Sequence, residues 1–249
     1  MIEVRAFAEL GGAEHGWLNA RHHFSFAEYY DPQRMAWGDL RVWNDDEITP
    51  HSGFPPHPHR DMEIITYVRQ GAITHKDNLG NHGRTEAGDV QVMSAGTGIA
   101  HSEYNLEDDT TKIFQIWITP NQFDSPPSWG AKPFPKGDRA GSFVTLASGD
   151  SDDQDALPIR ANARVAAATL KAGQTTEYVL GAKRKAYLVA STGAFEVNGV
   201  AAQTRDGVAV RDIEVLHVTA VSYTHLRAHE TDSYLVCRLL LEKRRTRVA

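Results

Sequence analysis

The chain has 249 residues, 41% of them apolar and 23% charged, with a net charge of −6. That length suits one large domain or two modest ones around a buried core. The acidic balance gives no reason to expect a nucleic-acid partner through bulk electrostatics, and no apolar run approaches the roughly 18 residues that span a bilayer.

The first ten residues carry Glu3, Arg5 and Glu9 and lack the apolar core of a signal peptide, so a cytoplasmic location is expected. Short runs rich in β-branched and aromatic residues follow, and helix-length apolar periodicity is scarce. Strands are expected at residues 40–43, 63–69, 90–93 and 113–118, separated by glycine-bearing turns at 78–81, 86–89 and 94–98. Strands this short and this frequent point to an all-β barrel or sandwich. Residues 120–141 hold five prolines and read as an inter-domain linker. A second strand-rich region has candidates at 163–170, 185–190, 194–197 and 207–210, with a helical segment expected near Ala156 before it. The run Ser191-Thr-Gly-Ala-Phe-Glu-Val-Asn-Gly199 reads as a hairpin and parallels Arg69-Gln-Gly-Ala-Ile-Thr-His75, a weak repeat that implies two similar barrels in tandem. The expected division is 1–125, a linker at 126–141, a second domain at 142–221, and a tail at 222–249. In that tail the composition shifts to six Lys or Arg against three Asp or Glu. It also holds Cys237, the single cysteine, which leaves neither an intrachain disulfide nor a cysteine-rich metal site to be formed.

Histidine is unevenly placed. Nine of the 12 lie between His15 and His101, and none falls from Ser102 to Leu216. His57 and His59 are two apart, as are His101 and Glu103. In a strand, residues i and i+2 share a face, so two such strands can aim four ligands at one ion inside a barrel. Three imidazoles and a carboxylate suit iron, copper, nickel, manganese or zinc and leave open positions for substrate or O2. Glu63, four residues after His59, shares that face if the strand is unbroken, so either Glu63 or Glu103 can ligate.

These blocks resemble the paired motifs of the cupin superfamily and, more narrowly, the pirin family with its bacterial quercetin 2,3-dioxygenase-like members. The resemblance covers about residues 1–221 and rests on five blocks. They are His15-Gly-Trp-Leu18, His23-Phe-Ser-Phe-Ala-Glu-Tyr-Tyr-Asp-Pro32, Leu40-Arg-Val-Trp-Asn-Asp-Asp46, Pro56-His-Pro-His-Arg-Asp-Met-Glu63 and Met93-Ser-Ala-Gly-Thr-Gly-Ile-Ala-His-Ser-Glu103. It implies two tandem jelly-roll barrels, the second without metal ligands, and it places the ligands on His57, His59, His101 and Glu103. It also implies one divalent metal ion per chain, iron(II) first, with copper, nickel, cobalt, manganese or zinc as alternatives. The implied activity is a dioxygenase that opens a flavonol or related phenolic ring with O2. Glu103 would take the proton of the substrate's 3-hydroxyl. The alternative is a metal-dependent regulatory protein that docks on a partner and turns nothing over. A monomer is expected, with no direct nucleic-acid or membrane partner.

The tail from Ser222 resembles translated sequencing-adapter read-through; on that reading the second barrel lacks its native last strand. A basic amphipathic helix docked on the body is the other reading. Among the remaining residues, Phe24, Phe26, Tyr29 and Tyr30 are expected to pack in the core, with a substrate-stacking wall as the alternative. Trp43 and Trp117 are expected in core or pocket wall. His22, His23 and His51 are expected to be solvated or hydrogen-bonded, and His75 and His82 to face solvent. Arg60 and Asp61 are candidates for orienting the ligands, and Gly96 and Gly98 for positive φ.

Overall fold

The computed structural model describes residues 1–134 and 141–221, together with the backbone of the strand Leu235–Lys243. Among these residues there are twenty-two strands, and the only helical turn is a 3-10 turn at Phe7–Glu9. The expected all-β architecture is therefore present, and the segment around Ala156 is a run of turns rather than a helix. Asp150 and Asp153 account for this, because their carbonyls close successive tight turns onto the N–H groups of Asp153 and Ala156.

The chain divides into two compact units, and the division is not purely sequential. One unit comprises Gly11–Phe134 and Ala147–Asn162. Its larger sheet places, in spatial order, Ser128–Lys132, Val90–Ser94, Glu63–Gln70, Thr111–Ile118, Leu40–Ile48, Leu18–His22 and Gly11–Glu14. Its smaller sheet runs Ser52–His59, Ile99–Asn105, Ala72–Asp77 and His82–Glu86. The strands expected at 40–43, 63–69, 90–93 and 113–118 all lie in the larger sheet. Their Val, Ile and aromatic residues fill the interior, with Ile48, Ile65, Ile113, Phe114 and Ile116 closed to solvent. The proline-rich stretch read as linker contains Ser128–Lys132, which pairs antiparallel with Val90–Ser94.

The other unit comprises Met1–Leu10, Pro135–Leu146 and Ala163–Ala249. Ile2–Arg5 belongs to this unit and pairs antiparallel with Gly207–Arg211. The sheet continues through Arg184–Ala190, Leu235–Lys243, Ala163–Leu170 and Val144–Ser148. The backbone of Leu235–Lys243 thus occupies the position between Arg184–Ala190 and Ala163–Leu170 that the tail reading left vacant, in unbroken antiparallel register with both. Residues 222–234 and 244–249, which that reading also covers, lie outside the described residues. A second sheet runs Thr175–Val179, Val215–Ala220, Phe195–Val197 and Val200–Ala202. The stretch read as a hairpin, Ser191–Gly199, supplies only one strand of a hairpin: Phe195–Val197 pairs with Val200–Ala202 beyond it, turning at Asn198 and Gly199, both with positive φ, while the preceding Arg184–Ala190 lies in the other sheet.

Candidate metal centre

Ser52–His59 lies at the edge of the smaller sheet and carries Pro55, Pro56 and Pro58. An edge tolerates proline because one side of the strand has no ladder to donate to. On its paired side it runs antiparallel to Ile99–Asn105, with His57 opposite His101 and His59 opposite Ile99. The register then shifts, so that Glu103 faces Phe54. Pro55 and Pro56 together oppose the single residue Ser102, a bulge of the kind that re-aims side chains beside functional sites. The turn entering Ile99–Asn105 has Gly96 at φ 45° and Gly98 at φ 137°, the conformations expected of them. At Gly96 a Cβ would stand 1.9 Å from the Ser125 carbonyl oxygen, so only glycine fits.

The spacing argument for the histidines holds. One ring nitrogen from each of His57, His59 and His101 lies within 4.8 Å of the others. The Nε2 atoms of His57 and His101 are 3.1 Å apart. His57 Nδ1 is 2.7 Å from the Pro55 carbonyl oxygen. A carbonyl only accepts, so Nδ1 carries the hydrogen and Nε2 presents a bare lone pair. His59 Nε2 is buried with no hydrogen-bond partner. Burial, then the neighbouring His101 and His57, pushes His59 down to about 4, and burial, then His57 and His75, pushes His101 down to about 3. Both rings stay neutral at ordinary pH, the form that coordinates a metal. An unsatisfied buried nitrogen beside two others that converge fits a metal ion.

Glu103, the fourth expected ligand, is not among these converging atoms; it is buried and lines the same cavity, where three side chains bind its carboxylate. Thr66 Oγ1 and Gln91 Nε2 donate to Oε1 at 2.9 and 2.7 Å, and Gln115 Nε2 donates to Oε2 at 2.7 Å. The three donors stand on three different strands of the larger sheet, while Glu103 stands on the smaller one. A carboxylate offers about four lone-pair sites, so one on Oε2 remains. Glu63 is elsewhere. Asp61, at φ 46°, interrupts the chain between His59 and Glu63, and Glu63 accepts from Ser94 Oγ at 2.6 Å instead.

The cavity has a volume of about 300 Å³, within the range of small-molecule pockets. Trp17, Phe26, Phe54 and Trp117 form apolar walls, and His57, His59, His101 and Glu103 line it as well. Trp117 meets His59 edge to face with centroids 4.9 Å apart, and Phe26 edge to face at 5.3 Å. Asp46 also lines the cavity, with an Oδ1 that has no hydrogen-bond partner. Burial first, then the charges of Asp45 and Glu103, holds its carboxyl well above the usual range. His22 lines the cavity too and bonds to Asn44 at 2.9 Å. The aromatic cluster divides: Phe24 is core, Phe26 is cavity wall, and Tyr30 is exposed.

Two expectations are corrected. His75 does not face solvent; its side chain is wholly buried. The strand Ala72–Asp77 buries both faces over its first four residues, so alternation gives no sign of which side is wet. The signal that was available is the spacing His75-x-Asp77, a third pair two residues apart. Arg60 is exposed and pairs with Asp61 and Asp124, away from the ligands.

A chain of two all-β cupin barrels, one of them holding convergent histidines in an open cavity, is a bicupin with a centre fit for a metal. Comparison with known proteins narrows this. The Pirin domain matches residues 3–118, and the Quercetinase C-terminal cupin domain matches residues 145–226. A pirin-like protein of Caulobacter vibrioides is 68% identical over 226 residues, spanning 91% of this chain and 97% of that one. The quercetin 2,3-dioxygenase of Escherichia coli is 39% identical over 223 residues, spanning 89% and 95%. The crystal structure of the bacterial pirin YhhW from Escherichia coli in complex with nickel(II) superposes with a TM-score of 0.87 at 36% identity, covering 98% of this chain and 99% of that one. The chain belongs to the pirin family.

Proposed function

We propose that this chain is a metal-dependent dioxygenase of the quercetinase type, opening a flavonol or related phenolic ring with O2. The observation that carries the proposal is the aromatic-walled cavity, which gives a planar substrate access to His57, His59, His101 and Glu103. A site serving only as a regulatory centre needs no such access. The name of the Escherichia coli relative supports the same reaction class.

His57, His59 and His101 would hold the ion, with Glu103 Oε2 as fourth ligand. Nitrogen and oxygen donors without thiolate suit a first-row divalent metal; iron(II) is the expected occupant, and nickel(II) is the ion of the YhhW complex. When bound, the ion polarises a substrate hydroxyl and lowers its pKa. Glu103 would accept the hydroxyl proton, and its one remaining lone-pair site on Oε2 is the atom that would either ligate the ion or take that proton. Trp17, Phe26, Phe54 and Trp117 hold the ring system in one orientation and exclude water from it. Asp46 offers Oδ1 to a second substrate oxygen.

The test is to load metal-free protein with iron, copper, nickel, cobalt or manganese in turn and follow quercetin absorbance together with O2 uptake. Loss of both with at least one metal is expected. No loss with any of them overturns the proposal in favour of a binding protein whose metal centre regulates a partner.

A further inference from the structure

His75 has no part in that chemistry, yet it is wholly buried and touches the centre. It stands on Ala72–Asp77, which pairs with Ile99–Asn105 so that His75 lies opposite Glu103. Its Nε2 is 3.0 Å from Asp77 Oδ2, and its Nδ1 is 3.3 Å from His101 Nδ1. The Trp129 indole lies flat against the ring, with centroids 4.8 Å apart and planes 11° apart.

The hydrogens follow from Asp77. Its Oδ1 accepts the backbone N–H groups of Leu79 and Asn81 at 2.9 and 3.0 Å, and its Oδ2 accepts Asn81 Nδ2 at 2.9 Å. A carboxylate held this way is an acceptor only, so the hydrogen of His75 sits on Nε2. His75 Nδ1 then presents a lone pair, and His101 Nδ1 supplies the hydrogen between them. Three neutral rings between the Asp77 and Pro55 acceptors carry three hydrogens for four links, so one link goes without: on this assignment it is the 3.1 Å contact between His101 Nε2 and His57 Nε2, where both lone pairs face the position an ion would take.

We propose that His75, backed by Asp77, is a positioning residue that locks His101 in its Nδ1–H tautomer and aims its Nε2 lone pair into the metal centre. His57 receives the same service from the Pro55 carbonyl. Partners that fix the tautomer of a ligating imidazole typically account for 10–100-fold in metal affinity, on the order of what is expected here. The inference rests on the metal reading for its purpose, but the tautomer itself is a property of the metal-free chain.

The experiment reads imidazole nitrogen chemical shifts in isotope-labelled, metal-free protein and measures Ni(II) affinity in two variants. His75→Phe keeps a ring against Trp129 and removes both nitrogens. His75→Gln keeps an acceptor and a donor on one planar group. In the wild type, His101 is expected as Nδ1–H and His75 as Nε2–H. His75→Phe should mix the His101 tautomers and weaken Ni(II) binding about 10–100-fold, and His75→Gln should restore most of it. His101 found as Nε2–H in the wild type overturns the proposal, and so does Ni(II) affinity in His75→Phe within about twofold of wild type. If His75→Phe does not fold, the wild-type spectrum decides alone. Failure of the wild type to bind any divalent ion sinks the metal reading and is separately visible, because the tautomers are read without metal.

Discussion

In the first barrel the strand Ile99–Asn105 buries Ile99, His101, Glu103 and Asn105; in the second, Val215–Ala220 buries Leu216, Val218 and Ala220. The two strands hold equivalent places, each second in a four-stranded sheet beside an edge strand. Both alternate buried and accessible residues, so the backbones pose the same problem. The fillings differ. Leu188, Phe195, Val208, Leu216 and Val218 give the second barrel a sealed apolar core, which stabilises by removing surface from water. The first barrel places imidazoles and a carboxylate in the same layer, and each must find a partner or cost the fold. Its edge strand carries a bulge at Pro55 and Pro56, whereas Thr175–Val179 pairs with Val215–Ala220 without a shift. Among the described residues, one scaffold thus carries a histidine cluster in one copy and apolar packing in the other, and the register of a single strand pair marks the difference.

The sharpest way to break this contrast is to remove a ligand. His101→Ala should lose metal by more than the roughly 10–100-fold typical of outer partners, measured by metal analysis and titration. Equal metal content in variant and wild type would end the assignment. Next, Phe195→Ala should lower unfolding free energy by about 3–5 kcal/mol while leaving metal stoichiometry unchanged; a parallel fall in stoichiometry would show that the second core serves the site.

Glu103→Gln separates ligation from proton transfer. The variant puts an amide donor among the donors Thr66, Gln91 and Gln115, so turnover should drop by about 100-fold or more in protein saturated with metal. Normal turnover in fully metallated protein would refute the role given to Glu103.

Asp46→Asn tests a polar filling without touching the histidines. The folded-state pKa of Asp46 is raised, so above the unfolded value of about 4 the native state holds a proton that the unfolded state has released. Wild-type stability therefore falls as pH rises through that window, and the neutral variant should gain on it progressively. Parallel denaturation curves of the two proteins from acid to neutral pH would contradict this. The smallest effect belongs to His217, an exposed residue of the second barrel 3.1 Å from Glu177. Its replacement by Ala should change stability by less than about 1 kcal/mol, because exposed pairs contribute little.

The convergence of the histidines was legible because period-two alternation acts within a single strand: His57-x-His59 needed only extended backbone to face one way, and His101-x-Glu103 brings both side chains to the cavity. What was hidden depends on contacts distant in sequence. Nothing near Ile2 says that its partner is Val210, and nothing near Glu103 says that Thr66, Gln91 and Gln115 will meet it. Proline content misled at Ser128–Lys132, where the prolines flank the strand rather than interrupt it. His75 was misplaced because a strand buried on both faces erases the alternation that would have located it.

Glu103 is also a rivet. One carboxylate gathers donors from three strands of the opposite sheet, so the cavity wall is fastened before any ion arrives. Chelation should therefore leave the barrel standing, with its thermal transition little changed, and reloading should proceed at the speed of diffusion and coordination rather than of refolding.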